Sequence, residues 1–350
     1  MTELNRYREI EVSGSPRELG RQIGEAAREE TRGFCEVALD RVNKTLSISR
    51  ERAIDVARRS TSFADKYRPD LVDELRGTAE AAGVTLDDLM LLQVRNQFTP
   101  EKEGGCTSFS IQSSGADSPV VAQTWDNDPL LDDFTVVLTR RPDGKPATMS
   151  CTQAGLISYM GLSETGMGAC VNTLPAPSRD VGVPHYFTLR ELFEAESLDA
   201  AVASLRRAHR AIPANIMLAT PDGPANLEVT IDDVHVLRPD DGCSIAHSNH
   251  CVHPDLVSIN ADFPELIQSH ARKERIDNLI SGTSGTLEEL KTILSDHDGH
   301  PTSICRHTND DPGNGFWVTV FALIIEPGER RMHITRGTPC DHPFETYSLS

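Results

Sequence analysis

The first hundred residues repeat apolar positions with the period of an α-helix, after a short opening strand. The run SPRE at 15–18 combines an N-cap residue, a proline at the first helical position and a glutamate that can complete a capping box. A helix is therefore predicted from residue 16 to about residue 43. Three more helices are predicted over about 51–67, over 69–83 and from the capping signal at 85–88.

The pattern changes after the polar segment 97–105, whose proline and glycines predict a loop. Short β-branched and aromatic runs then predict strands. These runs are CTSFSIQ, VVAQTW, FTVVLTR, ATMSCT, LISYMGL, GMGACVNT, NIMLAT, ANLEVTI, VHVLRP, CSIAHS, SICRH, FWVTVFALII and RMHITRG. Helices are predicted between them at about 186–195, 198–209, 263–281 and 287–295. Blocks of strands alternating with blocks of helices favour an α+β fold with helices packed on antiparallel sheets.

The composition is that of a globular protein. The 350 residues carry a net charge of −19, and 25% of them are charged, which excludes global disorder. An acidic surface repels phosphate backbones, so nucleic acid is not an expected partner. No apolar run is long enough to span a bilayer and the charged N-terminus has no secretory apolar core, so no membrane association is expected. Eight scattered cysteines without a CxxC pair indicate reduced thiols in a cytoplasm.

Cys106 differs from the other cysteines because it follows a diglycine at the junction of the loop with the first strand of the β-rich part. Glycine before the bond leaves the Gly105 carbonyl open to attack by the thiol through a five-membered ring. An N→S acyl shift and hydrolysis would then free an α-amine on Cys106. With a pKa of about 7.7–8.0, that amine could act as the base for its own thiol. By itself, the GGC motif is more typical of an ordinary turn.

Several longer segments of the chain match one known pattern, in order and almost from end to end. They are SGSPRELGRQIG, ELRGTAEAAGVTLDDLMLLQVRNQ, GCTSFS, AQTWDND, CTQAGLISYMGLSETGMGACVNTL, AHSNH and SICRH. Together they resemble the penicillin acyltransferase-like (isopenicillin N acyltransferase-type) family of N-terminal-nucleophile (Ntn) cysteine hydrolases. The resemblance implies a four-layer αββα sandwich and self-cleavage between Gly105 and Cys106. It also implies one compact domain built from a helical fragment 1–105 and a catalytic fragment 106–350, of roughly 11.5 and 27 kDa.

The resemblance also implies a role for each of five side chains. Cys106 is the expected nucleophile, and Asp126, in the Trp-Asp pair, is expected to stabilise and orient the new α-ammonium. Asn249, in AHSNH, is expected to donate its amide to the oxyanion. Arg306, in SICRH, is expected to hold a carboxylate or tune the thiolate. Asn172, in ACVNTL, is expected to complete the oxyanion hole.

Each of these roles has an ordinary structural alternative. Asp126 could cap a turn, Asn249 and Asn172 could satisfy backbone groups, and Arg306 could form a plain ion pair. The family often has asparagine before the Trp-Asp pair where this chain has Gln123-Thr124, which puts substrate contacts near that strand in doubt.

The expected substrate is a small-molecule amide or an acyl-CoA-like thioester, with water or an acceptor amine resolving the acyl-enzyme. The chain's own N-terminal fragment is the expected partner subunit, an oligomer is possible, and no cofactor or metal is expected. One alternative is a zinc-dependent hydrolase that uses the His, Cys and Asp clusters at 247–253 and 296–307, although neither matches HExxH or paired CxxC spacing. Another is an uncleaved, non-catalytic binding protein of the same fold. A serine hydrolase is disfavoured because no G-x-S-x-G elbow occurs.

Overall fold

The computed structural model of the chain describes residues 5–44, 46–98, 105–113, 118–240 and 243–350. The helices are α1 (Pro16–Ala26), α2 (Arg28–Val42), α3 (Arg50–Tyr67), α4 (Pro69–Ala82), α5 (Leu86–Val94), α6 (His185–Leu192), α7 (Leu198–Arg207), α8 (Ser269–Ser281) and α9 (Leu287–Leu294). The strands are β1 (Glu9–Gly14), β2 (Thr107–Ile111), β3 (Val120–Asn127), β4 (Thr135–Pro142), β5 (Thr148–Gln153), β6 (Met160–Ser163), β7 (Gly168–Asn172), β8 (Ala214–Thr220), β9 (Gly223–Val229), β10 (Val234–Leu237), β11 (Ser244–His247), β12 (Val318–Glu326), β13 (Arg331–Ile334) and β14 (Glu345–Ser348).

The predicted first helix is two helices, α1 and α2, which meet at Ala27. Ala27 has φ −112° and ψ 37°, outside the helical region, so the axis breaks there. The break lets the two segments bury different faces. Leu19 and Ile23 of α1 pack with β1 and β4, whereas Phe34 and Ala38 of α2 join the main core. One straight helix over residues 16–43 could not cover both clusters.

Glycines bring α1 and α4 into close contact. A Cβ atom at Gly20 would lie 1.8 Å from the Glu74 carbonyl oxygen, and one at Gly24 would lie 2.5 Å from the Thr78 carbonyl oxygen. Gly77 of α4 faces α1 in the same way. These glycines therefore let the two backbones approach more closely than any side chain would allow.

The strands form two sheets. In the described part of the chain, the larger sheet has the order β1-β4-β5-β6-β7-β8-β9-β10 and the smaller one the order β11-β2-β3-β12-β13-β14. Their neighbouring strands run antiparallel, as predicted, with the exception of β1 and β4, which are parallel. The edge strand β1 comes from the N-terminal part, so residues before the predicted cleavage site complete a sheet built by residues after it.

The two sheets face each other and helices cover both outer faces. Strands β2 and β3 of the smaller sheet contact β7 and β8 of the larger one. Helices α1, α2 and α7 contact the larger sheet, α3–α5 pack with them, and α8 and α9 lie on the smaller sheet. The predicted four-layer αββα fold is confirmed. No helix within the described residues is long and apolar enough to cross a membrane.

Two predicted elements are wrong, and one strand was missed. SICRH, at 303–307, is an irregular loop instead of a strand, because its N–H groups bond outside a regular ladder: Cys305 N–H donates to the Asp296 carbonyl and Arg306 N–H to the side-chain Oγ1 of Thr319 in β12. Helix α8 begins at Ser269 instead of residue 263. The two preceding residues, Ile267 and Gln268, have φ values of 47° and 52°, which no right-handed helix contains. Strand β14 has no counterpart among the predicted runs.

A buried charge group joins the N-terminal helices to the rest of the fold. Glu74 of α4 accepts hydrogen bonds from Arg140 of β4 at 2.8 Å and from Arg190 of α6 at 3.1 Å, and all three side chains are buried. Removing the Glu74 carboxylate would leave the two buried arginine charges uncompensated, at a cost of about 3–5 kcal/mol. The N-terminal part is therefore bound to the β-rich part by its edge strand, by apolar packing and by this group.

Candidate active site

Cys106 lies directly before β2, next to the centre of the smaller sheet. Its neighbour Thr107 pairs with Thr124 of β3, which places Cys106 beside Trp125 and Asp126. Only 3% of Cys106 is exposed, and it borders a cavity of about 30 Å³ that Trp125, Tyr159 and Asn172 also line. The nucleophile predicted from the sequence thus lies between the two sheets, at a small internal cavity.

Two side chains hold the backbone carbonyl of Cys106. Arg272 of α8 donates from Nη1 at 2.7 Å, and Asn172, at the end of β7, donates from Nδ2 at 3.2 Å. The Asn172 amide is oriented because its Oδ1 accepts from Ser108 Oγ at 2.7 Å. Arg272 also donates to Thr107 Oγ1 at 2.9 Å. The position of Cys106 is therefore fixed from the larger sheet and from α8 at once.

Asn249 reaches this group through Arg272. Its Oδ1 accepts from Arg272 Nη2 at 2.8 Å, while its Nδ2 donates to the Thr173 carbonyl at 2.9 Å. Its backbone N–H donates to Ser269 Oγ at 2.8 Å. Asn249 is buried on the loop after β11, and its hydrogen bonds to the described residues use one of the two amide hydrogens on Nδ2.

A buried glutamate organises the loop that carries Asn249. Glu228 of β9 contacts His247 Nε2 at 2.8 Å, and both side chains are fully buried. Glu228 also accepts from the backbone N–H groups of Val252 at 2.6 Å and His253 at 3.0 Å. This carboxylate therefore holds both ends of the turn on which Asn249 sits.

Asp126 is fully buried, and its carboxyl is only half satisfied. Oδ1 accepts from Thr319 Oγ1 at 2.7 Å, whereas Oδ2 has no hydrogen-bond partner among the described residues. Burial raises the pKa of the Asp126 carboxyl to about 7, against the opposing positive charges of Arg306 and Arg272. A carboxyl near the thiol therefore has one oxygen available for a further donor.

Arg306 lies on the far side of Asp126. Its Nε donates to the Trp317 carbonyl at 3.0 Å and its Nη2 to the Asn314 carbonyl at 2.9 Å. Its backbone N–H donates to Thr319 Oγ1, which in turn donates to Asp126. Arg306 therefore acts on the carboxyl, through charge and through Thr319, and its described contacts do not include Cys106.

The thiol itself is held in its neutral form. Burial, and to a smaller extent the Asp126 carboxylate, raise the pKa of the Cys106 thiol to about 12, against the opposing effects of the Asp126 backbone N–H, Arg272 and Gln123. With its nitrogen still in a peptide bond, Cys106 is therefore a weak nucleophile at neutral pH.

The structure brings together the five residues expected from the sequence and adds one that was missed. Asn172 and Arg272 both donate to the Cys106 carbonyl, and Arg272 also donates to Asn249. Asp126 and Arg306 are linked to each other through Thr319 and act on this group through charge. Arg272 lies in the charged run HARKERID, where no feature of the sequence distinguishes a buried arginine from the solvent-exposed charged residues beside it. Arg272 is buried at the start of a helix because of tertiary contacts, which the helical period of the sequence does not reveal.

The first histidine and cysteine cluster of the zinc alternative is not assembled. His247 is engaged by Glu228, His250 Nδ1 lies 2.7 Å from Ser269 Oγ, and Cys251 packs with Leu174 and Leu256. The second cluster is assembled in part: His297, Cys305 and His307 lie together with Cys340. None of these four residues lines the cavity at Cys106.

Comparison with known sequences decides the family. Residues 113–341 match the family described as acyl-coenzyme A:6-aminopenicillanic acid acyl-transferase. The chain belongs to this family. The family assigns the chain to enzymes of acyl transfer or hydrolysis that act on amides, with small-molecule acyl or amide substrates. The resemblance stated from the sequence is confirmed.

One individual sequence relative agrees with this assignment. The 40 kDa form of acyl-coenzyme A:6-aminopenicillanic-acid-acyltransferase of Emericella nidulans is 25% identical over 350 residues, covering 97% of this chain and 95% of the relative. Among solved structures, a conjugated bile acid hydrolase of Clostridium perfringens matches with a TM-score of 0.45 and 12% identity over 70% of this chain and 97% of that one. Penicillin V acylase of Agrobacterium tumefaciens matches with a TM-score of 0.41 and 13% identity over 65% and 82%. Both TM-scores are low, so neither likeness decides the fold or chemistry of this chain.

Proposed function

We propose that this family member is a self-processing cysteine amidohydrolase or acyltransferase whose nucleophile is Cys106. The observation that carries the proposal is the placement of a buried thiol at the start of a central strand, with Arg272 and Asn172 on its carbonyl and a half-satisfied Asp126 carboxyl beside it. The same groups that fix a peptide bond for cleavage would afterwards fix a free cysteine for catalysis.

Processing would break the bond between Gly105 and Cys106. The thiol adds to the Gly105 carbonyl, the C–N bond breaks, and the Cys106 nitrogen takes a proton to become an amine. Water then hydrolyses the resulting thioester and returns the thiol, leaving a carboxylate on Gly105. Both residues are buried in the uncleaved chain, so the reaction takes place in a fixed geometry.

The amine freed by cleavage would supply the donor that Asp126 lacks. Oδ2 of Asp126 has no partner among the described residues, and an α-ammonium on Cys106 would place a positive charge beside it. That charge would also lower the pKa of the thiol. Cleavage would therefore turn a neutral, weakly nucleophilic cysteine into an activated one.

In the catalytic cycle, the α-amine takes the thiol proton and the thiolate attacks the substrate carbonyl. Asn249 and Asn172 donate to the oxyanion, the leaving amine takes the proton from the α-ammonium, and water or an acceptor amine resolves the thioester. A cavity of about 30 Å³ holds no more than a water or two. Substrate entry therefore depends on movement that cleavage permits, and the choice between hydrolysis and transfer depends on whether the opened site excludes water.

The two fragments, 1–105 and 106–350, would stay together as subunits of one domain. Strand β1 remains paired with β4, and Glu74 remains bound to Arg140 and Arg190. Much of the main core is shared between the helices before residue 98 and the strands after residue 106. We also propose a cytoplasmic location, which is supported by the scattered cysteines that the sequence indicates to be reduced thiols.

Gly105→Ala is expected to slow processing by about 10- to 100-fold. An added Cβ would lie 2.9 Å from Ile267 Cδ1 and 3.1 Å from Ile267 Cβ. Ile267 cannot move freely because its carbonyl accepts from Arg272 Nε at 2.8 Å. The rate at which two fragments replace the full chain measures the effect. Gly282→Ala, whose Cβ would meet nothing within 4 Å, is the matched control and should process normally; equal rates for both variants would contradict the packing argument.

The stability of the uncleaved chain is expected to depend on pH through Asp126. Its pKa of about 7 in the fold exceeds the value of about 3.9 for an unfolded aspartate, so the fold keeps a proton that the unfolded chain releases. The stabilisation is fully present below about pH 4 and is lost as the pH rises through about 7. Relative to Cys106→Ala/Asp126→Asn, the Cys106→Ala chain should lose up to about 1.4 kcal/mol of unfolding free energy per pH unit in that interval.

Denaturant unfolding of the two chains at a series of pH values measures this difference. Using Cys106→Ala in both keeps thiol chemistry out of the comparison. Parallel pH curves for the two chains would contradict a buried carboxyl that holds its proton near neutrality.

A further inference from the structure

Four metal-ligating side chains converge away from the cavity at Cys106. His297, Cys305 and His307 come from the irregular segment after α9, and Cys340 comes from the connection between β13 and β14. One ligand atom of each lies within 4.8 Å of the others. The fold thus brings two imidazoles and two thiols together, although the first three ligands precede Cys340 by 33 to 43 residues in the sequence.

The spacing of these atoms matches the edges of a tetrahedron around zinc. Bonds of about 2.3 Å to sulfur and 2.0–2.1 Å to nitrogen give edges of about 3.8 Å between sulfurs, 3.6 Å between sulfur and nitrogen and 3.3 Å between nitrogens. The two Sγ atoms are 3.6 Å apart, His307 Nε2 is 3.6 Å from each sulfur, and His297 Nε2 is 3.0 Å from His307 Nε2.

We propose that His297, Cys305, His307 and Cys340 bind one Zn²⁺ ion as a structural Cys₂His₂ site. Both histidines bind as neutral imidazoles through Nε2, and the two thiols bind as thiolates, so binding releases two protons. Four protein ligands fill the tetrahedron and leave no position for a water or substrate, which is the pattern of structural instead of catalytic zinc. The proposal departs from the expectation that the protein holds no metal, and it is independent of the chemistry at Cys106.

The segment that carries three of the ligands is held in place by other contacts. Arg275 of α8 binds the Asp296 carboxylate at 2.6 and 3.1 Å, and the Asp296 carbonyl accepts from Cys305 N–H at 3.0 Å. Ser303 Oγ donates to the Cys305 carbonyl at 2.6 Å. The ligands are therefore supported by surrounding residues, as metal ligands usually are.

The position of the site gives it a structural consequence. Cys305 and His307 flank Arg306, which acts on Asp126 through Thr319. A metal bound here would tie the irregular segment 296–307 to the chain after β13. Zinc would then hold this loop in place. In the strand that the sequence predicted here, ladder hydrogen bonds would have had that role.

Zinc content of the purified full chain, measured by elemental analysis, tests the proposal. We expect one zinc per chain, and its loss in Cys340→Ser and in His297→Gln, because removing a direct ligand weakens binding by more than the roughly 10- to 100-fold that loss of an outer partner causes. Cys243→Ser and His253→Gln are matched controls at an exposed cysteine and at the smaller group His235, His253 and Asp255. Both controls should keep one zinc.

A second measurement covers variants that fail to fold. Protein stripped of metal with a chelator and titrated with Co²⁺ should develop the absorption of a tetrahedral cobalt–thiolate site, one cobalt per chain, and then lose it when Zn²⁺ is added. Three results would overturn the proposal. The first is a wild-type chain that retains no zinc and gives no cobalt–thiolate absorption, and the second is full zinc content in Cys340→Ser. The third is a Cys305–Cys340 disulfide, seen as a mass lower by two hydrogens in protein purified from cells with a reducing cytoplasm.

Discussion

A Cys106→Ala chain is expected to remain one polypeptide and to lose amide turnover by at least about 10⁴-fold. The thiol is the atom that attacks the Gly105 carbonyl and, after cleavage, the substrate carbonyl. Cys170, a second buried thiol in this core, cannot take over, because it lies within β7, where cleavage after Gly105 frees no amine beside it and burial keeps its pKa well above the usual value. Intact mass measures processing, and a panel of N-acyl amides and acyl thioesters measures turnover.

Cys170→Ala is the matched control for that experiment. It removes a buried thiol from the same core while leaving the two hydrogen bonds to the Cys106 carbonyl in place, so both processing and turnover should survive. If the Cys106→Ala chain were still cut, or if the loss of turnover were the same in both variants, Cys106 would not be the nucleophile. Circular dichroism of each variant separates loss of chemistry from loss of fold.

Asn249→Ala is expected to lower kcat by about 10²- to 10³-fold in the processed enzyme. Its amide hydrogen would stabilise the oxyanion only as charge develops, so KM should change little. Because Asn249 Oδ1 also binds Arg272, the alanine variant removes two functions at once. Asn249→Asp keeps the acceptor for Arg272 and removes the amide donor, so a similar loss in kcat identifies the donor as the group that matters.

Asn260→Ala is the control for the Asn249 variants. Asn260 has the same side chain and lies in the short 3-10 helix Val257–Asp262 that follows this loop, where its hydrogen bonds within the described part of the chain join the backbone of Cys251 at 2.9 and 2.8 Å. Its loss should loosen the loop and leave kcat within about a factor of ten of wild type. Unchanged kcat in Asn249→Asp, or an equal loss in Asn260→Ala, would remove Asn249 from the oxyanion role.

The sequence predicted the parts of this fold that depend on local signals. The capping boxes at Thr85 and Thr286 start α5 and α9, and Gly83 ends α4 in the left-handed conformation. The alternation of short β-branched runs located most strands of both sheets. Cys106 and Asp126 were proposed through the family resemblance, because the glycine-cysteine junction alone is more typical of a turn and the Trp-Asp pair points to a role only as part of the family's pattern.

The remainder depends on contacts between distant segments. SICRH has the composition of a strand, yet the Cys305 N–H donates to the Asp296 carbonyl and the Arg306 N–H donates to the Thr319 side chain in β12, so the segment forms no regular ladder. Arg272 has no local mark of burial, since only the fold places it against the Cys106 carbonyl. Cys340 joins Cys305 and His307 across β12 and β13, so no spacing in the sequence could have grouped them.

Intact mass and N-terminal sequencing of freshly purified wild-type protein test the central proposal most directly. We expect two fragments of roughly 11.5 and 27 kDa that purify together, and we expect the larger one to begin at Cys106. A single uncut chain of 38.4 kDa that still turns over amide or thioester substrates would contradict it. An uncut chain without turnover would instead agree with a non-catalytic binding protein of the same fold.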